Sequence, residues 1–464
     1  MTVLFEPSTL PYLSCKHIME RFHPVIVQRA VFKDWHPSST HLDTVFFEDL
    51  ERVDFLSTPG NIGDIYSGFL TTLLTDHRTL LLAERTDGNR LWNGAFSQLR
   101  CIEKIATNSL SLLIIKNISC FLSEDTPHNR RSWILAKAAE YLNIPVFFFA
   151  RSPLPWRFWL VRGIEERQPQ RQHTHQENIK HEEQAVADFI AINNAQYEKA
   201  IPTAERERFH KRHRKMWSWR SELKEICNKK SYFFAMLKKR KLYNDYCKLA
   251  TPVQSVKPRI SVFLHRQPER TSLPEGLFYT QQWLMIRELS LAVSSEWEIV
   301  IKEHPSTFLK DDFNPRYRDT NFYVDLAELK NVRLASLDDD PFSLIEASQI
   351  VATLTGKVGV QALSRGKPVL AFGCPNYRGA FGVFQVSGVQ AIRKALVEAK
   401  TLCRFTIQQR LSDFLLSVNK LSMSGLIKHS IQEEDIYSRD VMHNAELKLL
   451  RSFFSNEFLY FKDK

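Results

Sequence analysis

Glycine and paired cysteines are scarce in this chain of 464 residues. It has 15 glycines and no G-x-G-x-x-G, so the dinucleotide-binding fingerprint is absent. Its seven cysteines are scattered and form no C-x-x-C, which argues against a zinc site or a disulfide framework and favours a reducing cytosol. The sequence has neither a signal-peptide pattern nor a run of about eighteen uncharged apolar residues. We therefore expect a cytoplasmic protein.

The net charge of +11 is concentrated in one segment. Residues 205–257 contain sixteen Lys and Arg against five Asp and Glu, so this segment accounts for the whole excess. A pair of solvated helices is the first interpretation. A second is attraction to an anionic membrane, which would make the protein peripheral on the inner face of the inner membrane. No motif of a nucleic-acid-binding fold is present, so we expect no nucleic acid partner.

Strand-like and helix-like segments alternate in two parts of the chain, which predicts two α/β domains with parallel sheets covered by helices. We expect an N-terminal domain at residues 1–163 and a doubly wound C-terminal domain at 258–422. A basic helical connector at 164–257 would join them, and a helical tail would follow at 423–464. The predicted strands of the second domain are 261–265, 298–302, 331–335, 350–354 and 368–372.

Polar loops follow several of these strands, at the edge where open parallel sheets bind ligands. Arg266, Glu269 and Arg270 follow the first strand, and guanidinium groups suit contact with phosphate or carboxylate. Lys302 and His304 end the second strand on what alternation predicts to be one side. That histidine could bind or protonate a departing phosphate. Solvated turns and a histidine that only caps its strand are the alternatives.

A hydroxyl, two glycines and a cation stand in the next loop and at the start of a predicted helix at 358–364. These residues are Thr355, Gly356, Lys357 and Gly359. Backbone N–H groups and the helix dipole favour an anion at such a point, and glycine allows close approach of a ligand. The loop lacks the P-loop pattern, and an ordinary turn between strand and helix is the alternative.

One loop of the N-terminal domain also carries candidate catalytic groups. Glu124, Asp125 and His128 follow a predicted strand at 118–122 and precede a predicted helix at 130–142. Any of them could act as general base on an acceptor hydroxyl. Equally, Asp125 or Thr126 could cap the helix. Asp64 is a weaker candidate, for which a helix N-cap is the preferred interpretation.

Three blocks of the sequence resemble the bacterial capsule polysaccharide biosynthesis family, which includes transferases of 3-deoxy-manno-octulosonic acid (Kdo). They are LHRQPERTSLPEGLFYTQQWLMIRELS, WEIVIKEHPS and VATLTGKVGVQALSRGKPVLAFG, within residues 259–385. Weaker similarity extends to SEDTPHN and IPVFFFA. The resemblance implies a GT-B architecture of two facing Rossmann-like domains, with the donor in the C-terminal one and the acceptor largely on the other.

The resemblance also implies roles for individual residues. His304 and Pro305 would contact the phosphate of the donor nucleotide, and Thr355 and Gly356 would also serve the donor. Relatives usually carry Glu-Ala where this chain has Gln361-Ala362. Glutamine cannot ionise but can hydrogen-bond a ribose or base. Relatives also often have a hydroxyl residue at the position of the lysine that follows Gly356.

These observations predict a glycosyltransferase of capsule or surface polysaccharide assembly that uses a nucleotide-sugar donor, with CMP-Kdo as the leading choice, and a glycan or glycolipid acceptor. We expect no cofactor and no metal, and interpret Asp338–Asp340 as a capping turn. One alternative is an enzyme like the UDP-sugar 2-epimerases. Another is a non-catalytic, membrane-docked component of a polysaccharide assembly complex.

Overall fold

The computed structural model describes most of the chain and divides it into two compact units. The first unit is Met1–Ile179 with Ser417–Lys464, and the second is Lys180–Leu416. The described residues are 2–6, 23–28, 43–53, 56, 60, 62–86, 95–123, 125–155, 157–169, 179–195, 230–251, 257–308 and 317–424.

The first unit is built on a mainly parallel sheet. Its first seven strands are β1 (Thr2–Glu6), β2 (His23–Gln28), β3 (Asp43–Phe46), β4 (Cys120–Ser123), β5 (Val146–Arg151), β6 (Arg157–Arg162) and β7 (Gln168–Pro169). An eighth strand, Met423–Ser424, pairs antiparallel with β6 on its outer side. The order is β6-β5-β4-β1-β2-β3, with β6 antiparallel to β5. Because the chain builds outward from β1 to β3 and then returns to β4 on the other side of β1, the strand order reverses between β1 and β4.

Four helices accompany this sheet within the described residues. They are α1 (Ile62–Thr75), α2 (His77–Thr86), α3 (Ala95–Ile115) and α4 (Arg130–Tyr141). The apolar spacing of residues 91–106 predicts a helix there, and α3 continues beyond that range to Ile115. Asn129 is the N-cap of α4, because its side chain accepts hydrogen bonds from the backbone N–H groups of Arg131 and Ser132. The expectation that Asp125 or Thr126 caps this helix is wrong.

The second unit contains a six-stranded sheet in which every pair is parallel. Its strands are β8 (Arg259–Phe263), β9 (Glu298–Lys302), β10 (Val332–Leu334), β11 (Ile350–Thr353), β12 (Val369–Ala371) and β13 (Val383–Gln385). The order is β10-β9-β8-β11-β12-β13, so the reversal lies between β8 and β11. The central strands are buried, as apolar runs in parallel sheets require; Ile260, Ile299 and Ala352 have no exposed surface. The predicted α/β, doubly wound fold is confirmed.

Eight described helices are associated with the second unit. They are α5 (Ile179–Asn194), α6 (Lys230–Leu249), α7 (Gln282–Ala292), α8 (Phe322–Glu328), α9 (Pro341–Glu346), α10 (Val358–Ser364), α11 (Val389–Lys400) and α12 (Arg404–Leu421). Asp340 caps α9 by accepting from the backbone N–H of Ser343 at 2.7 Å, which confirms the capping turn. Most of the basic segment, 205–229 and 252–256, and the tail from 425 onward lie outside the described residues. Within the described part, no helix is long and apolar enough to cross a membrane.

Candidate functional site

The loops after β8 and β11 meet where the strand order of the second unit reverses. His265 follows β8 and Thr355 follows β11, and His265 Nε2 lies 3.2 Å from Thr355 Oγ1. The same hydroxyl donates to the main-chain oxygen of Thr271 at 2.7 Å. Gly356 lies against the imidazole, since a Cβ atom there would be 3.2 Å from His265 Cε1. Two loops that are ninety residues apart in sequence therefore form one surface, at the place where such sheets bind ligands.

A buried ion pair lies within the segment after β9, and its arginine also binds the loop after β8. Arg318 Nε donates to Glu303 Oε2 at 3.1 Å, and the two side chains are 3% and 0% exposed. The guanidinium also donates to Gln267 Oε1 at 2.7 Å and to the main-chain oxygen of His265 at 3.1 Å. Burial acts to lower the pKa of Arg318, but the charges of Glu303 and Tyr323, together with their hydrogen bonds, outweigh it and leave the pKa raised. One planar cation thus fixes two loops through charge-assisted hydrogen bonds.

The carboxylate of Glu303 is saturated with donors. Besides Arg318, it accepts from Tyr323 Oη at 2.6 Å, from Thr307 Oγ1 at 3.1 Å and from the backbone N–H of His304 at 2.8 Å. The pKa of Tyr323 is raised well above its ordinary value by burial and by this charge, so the phenol keeps its proton and donates. Glu303 therefore orients the backbone that carries His304.

The side chain of Gln282, at the start of α7, holds the loop after β8 from the other side. Its Oε1 accepts from the backbone N–H of His265 at 2.8 Å. Its Nε2 donates to the main-chain oxygen of His265 at 3.0 Å and to Gln267 Oε1 at 2.8 Å. Both backbone groups of one residue are thereby fixed by one amide, which makes this loop rigid before any ligand arrives.

Lys302 and His304 lie in different environments. The ammonium of Lys302 is buried and donates to the main-chain oxygens of Ser336 and Leu337, each at 2.6 Å. Burial lowers its pKa to about 8. β9 ends at Lys302, so strand alternation does not extend to His304, which is exposed. His304 Nδ1 accepts from the backbone N–H of Ser306 at 3.2 Å, at the short turn that begins with Pro305.

The two arginines after β8 form ion pairs with carboxylates of their own loop. Arg266 lies 3.5 Å from Glu269, and Arg270 lies 3.3 Å from Glu275. Glu269 is thus placed as a partner of Arg266. Because both arginine side chains are only partly buried, each guanidinium combines a fixed position with a face toward solvent.

Packing explains the glycine in the first turn of α10. A Cβ atom on Gly359 would lie 2.1 Å from Tyr377 Oη, so the glycine is required by that ring. Tyr377 Oη donates to the main-chain oxygen of Gly356 at 2.6 Å and so holds the turn. Lys357 is exposed, and Gln361 lies buried in α10, a helix of seven residues.

In the first unit, hydrogen bonds between near neighbours shape the loop after β4. Glu124, a predicted catalytic residue of this loop, lies outside the described part of the chain. Asp125 Oδ1 accepts from the backbone N–H of Thr126 at 2.8 Å. His128 Nδ1 lies 2.7 Å from the main-chain oxygen of Thr126. Asp64 is the third residue of α1 and not its N-cap; an acid in a first turn is favoured by the helix dipole.

Sequence reasoning missed Glu6, His265, Glu303 and Arg318. Glu6 ends β1 beside the reversal of the first sheet, and its Oε2 accepts from Ser123 Oγ at 3.0 Å and Ser132 Oγ at 2.7 Å. A polar residue at the end of an apolar strand was a signal for Glu6, His265 and Glu303. Arg318 carried no such signal.

Among the described residues, no group of three His, Cys, Asp or Glu could hold a metal ion.

Comparisons with known proteins return one family and several distant structures. Residues 285–412 match the family described as capsule polysaccharide biosynthesis protein. A UDP-GlcNAc 2-epimerase from Neisseria meningitidis, bound to UDP-GlcNAc, is 15% identical with a TM-score of 0.26, over 90% of this chain and 100% of that one. A beta Kdo 2,7 transferase from Thermosulfurimonas dismutans is 11% identical with a TM-score of 0.27, over 66% and 88% of the two chains.

The spinosyn rhamnosyltransferase SpnG is 13% identical with a TM-score of 0.27, over 90% and 97%. TM-scores of this size support no argument about this chain. No curated protein matches it in sequence. The family match, in contrast, contains β9, the Glu303–Arg318 pair, His304 and the turn of Thr355–Gly359. The match gives residues 285–412 a similarity to the capsule polysaccharide biosynthesis family, which agrees with the resemblance found in the sequence.

Proposed function

We propose that this protein is a glycosyltransferase of capsule or surface polysaccharide assembly that takes its sugar from a nucleotide donor bound to the second unit. The observation that carries the proposal is the joining of three loops at one sheet edge, through the His265–Thr355 contact and through Arg318, which binds Glu303, Gln267 and the main-chain oxygen of His265. The family match to residues 285–412 supports the biological setting. A CMP-linked acidic sugar such as Kdo is the preferred donor, and the reaction as proposed uses neither metal nor cofactor.

The leaving phosphate would be stabilised by groups that surround these loops. His304 is exposed, and its ring is oriented through Nδ1. Arg266 and Arg270 would meet the phosphate or the carboxylate of the sugar, since planar guanidinium groups suit both. Lys357 would add positive charge. The structure suggests a different role for Lys302, because its ammonium already supports the chain at Ser336 and Leu337.

The acceptor hydroxyl would be activated by the loop after β4. His128 Nδ1 must donate to the main-chain oxygen of Thr126, because a carbonyl oxygen can only accept. In the neutral ring Nε2 then carries the lone pair, which is the form a general base requires. Glu124 and Asp125 remain candidates for the same role.

Binding and product analysis test this proposal. Titration with CMP, UDP and GDP should raise the melting temperature with one of them, because a ligand of the folded state stabilises it. The matching nucleotide sugar should then transfer its sugar to a glycan acceptor. His304→Ala should lower kcat/KM by at least about tenfold. Isomerisation of the donor without transfer would instead establish the 2-epimerase-like activity. Normal polysaccharide production by His304→Ala would contradict catalysis.

We also propose that the basic segment touches an anionic membrane surface. In its described part, α6 buries Met236, Lys239 and Leu242, and exposes Phe234 and Leu237 by 72% and 45%. Aromatic and apolar side chains beside lysines suit the interface of an anionic bilayer. Sedimentation with vesicles that contain phosphatidylglycerol should therefore carry the protein down. A Phe234→Ser, Leu237→Ser variant that sediments equally well would argue against this surface.

A further inference from the structure

His265 is the most constrained side chain at the reversal point of the second sheet. It is 8% exposed, and Gln282 fixes both its backbone N–H and its backbone oxygen. Arg318 donates to the same oxygen at 3.1 Å. None of these contacts involves the imidazole, so the backbone is held independently of whatever the ring does.

The hydrogen bonds of Thr355 determine the tautomer of the ring. A threonine hydroxyl has one proton, and Thr355 Oγ1 donates it to the main-chain oxygen of Thr271, which can only accept. The contact of 3.2 Å between Thr355 Oγ1 and His265 Nε2 must then be donated by the ring. Nε2 therefore carries the proton, and in the neutral ring Nδ1 carries a lone pair.

The surroundings keep this ring neutral. Burial, followed by the positive charges of His304 and Arg318, lowers the pKa of His265 to about 3. At neutral pH the ring is thus neither a general acid nor a cation for phosphate. What it offers is a hydrogen-bond acceptor in a fixed direction.

That acceptor has no hydrogen-bond partner among the described residues, although it is buried. Buried polar atoms in native proteins are nearly always paired, and an exception calls for an explanation. Gly356 lies against the ring edge at Cε1, the carbon bonded to both nitrogens, and a side chain there would press on the imidazole. Glycine at this position adds no side-chain atom of its own against the ring edge.

We propose that His265 is a specificity-determining residue that accepts, at Nδ1, a hydrogen bond from an O–H or N–H group of the nucleotide sugar. The inference rests on the proposed function and names a part of the ligand that the predicted phosphate contacts do not reach. An ionised phosphate oxygen has no proton to donate. The partner of Nδ1 is therefore a hydroxyl of the ribose or sugar, or an amino group of the base.

Two substitutions test the hydrogen bonds of Nδ1 and Nε2 of His265 separately. Asparagine places its amide group at the level of Nδ1, so His265→Asn keeps an acceptor there and loses the link to Thr355. Glutamine reaches the level of Nε2, so His265→Gln keeps that link and loses the acceptor. We would measure the affinity of the full-length variants, by calorimetry, for whichever of CMP, UDP, GDP and their sugar conjugates binds the wild type.

His265→Gln should weaken binding about tenfold, the usual cost of one unpaired hydrogen-bonding group, and His265→Asn should stay within about threefold of wild type. The reverse order, with His265→Gln binding like wild type, would overturn the inference. A wild type that binds none of these probes would overturn the proposed function itself. The two failures are thus distinguishable.

A measurement on the unaltered protein covers the case in which the variants do not fold. In protein labelled with ¹⁵N histidine, the signal of His265 Nδ1 should have the position of an unprotonated nitrogen. It should move when the bound nucleotide or nucleotide sugar donates to it. An Nδ1 signal unchanged at saturation with every ligand that binds would contradict the inference.

Discussion

The two sheets reverse their strand order in the same way, but the residues at the two reversal points are held differently. In the second unit, Arg318 connects the loops after β8 and β9 through a carboxylate, an amide and a main-chain oxygen. In the first unit, the loop after β4 is shaped by bonds between near neighbours such as Asp125 and Thr126. Long-range links there come from Glu6, which binds Ser123 and Ser132, and from Arg167, which donates to Thr126 Oγ1 at 3.4 Å.

This difference in contacts indicates that the preorganised site lies in the second unit. A buried ion pair is costly to assemble and is retained where geometry matters or where its loss would leave a buried charge. The second unit has such a pair, and it also carries the family match. Loops held mainly by local hydrogen bonds can adapt more easily.

The largest expected effect comes from removing the cation of the buried pair. Arg318→Met leaves Glu303 buried without its charge partner, so the free energy of unfolding in urea should fall by about 3–5 kcal/mol. Arg404→Met is the matched control, since that arginine pairs with Glu346 at 3.4 Å while more than half exposed. The control should change by about 0–1 kcal/mol. Equal losses of unfolding free energy in Arg318→Met and Arg404→Met would show that the buried pair is no more important than an exposed one.

Glycine substitutions compare packing in the two units. Gly359→Ala should destabilise by about 1–3 kcal/mol, because the new methyl group collides with Tyr377 and disturbs the turn at Gly356. Gly63→Ala, in α1 of the first unit, meets no atom within 4 Å and should stabilise by up to about 1 kcal/mol through helix propensity. Thermal and urea unfolding would measure both. A neutral Gly359→Ala would show that the ring can move away.

The N-cap of α4 should contribute about 1 kcal/mol to the first unit. Asn129→Ala removes an acceptor for two backbone N–H groups, at 3.1 and 3.0 Å. Asn129→Asp is the conservative control and should retain most of the stability. A loss in the alanine variant comparable with that of Arg318→Met would mean that the loop after β4 is as rigidly held as the second-unit loops.

The contribution of Lys302 to the free energy of unfolding should change gradually with pH. Its pKa in the folded protein is about 8, against an ordinary value of 10.5, so the unfolded chain holds more protons between these values. Stability should therefore rise with pH in that window. The unfolding free energy of the wild type minus that of Lys302→Met should increase from pH 8 to 10.5. It should stay constant near pH 7. A constant difference throughout would mean that the pKa of Lys302 is not lowered.

Much of the second unit could be predicted from sequence because its strands are short apolar runs with polar ends. The spans of β9 and α10 were predicted to the residue. β1, β2 and β6 were not predicted; β6 follows a short turn after β5. Long-range partners carry no local signal. Arg318 lies fifteen residues from Glu303, and only the folded structure brings them together.

Hydrogen–deuterium exchange with and without the nucleotide that raises the melting temperature tests the central claim most directly. Bound nucleotide should slow exchange in the three loops of the second unit, at residues 264–275, 303–308 and 354–357, and should leave residues 125–129 of the first unit unchanged. Protection confined to residues 125–129, or absent from all three second-unit loops at saturating nucleotide, would contradict the assignment of the donor site.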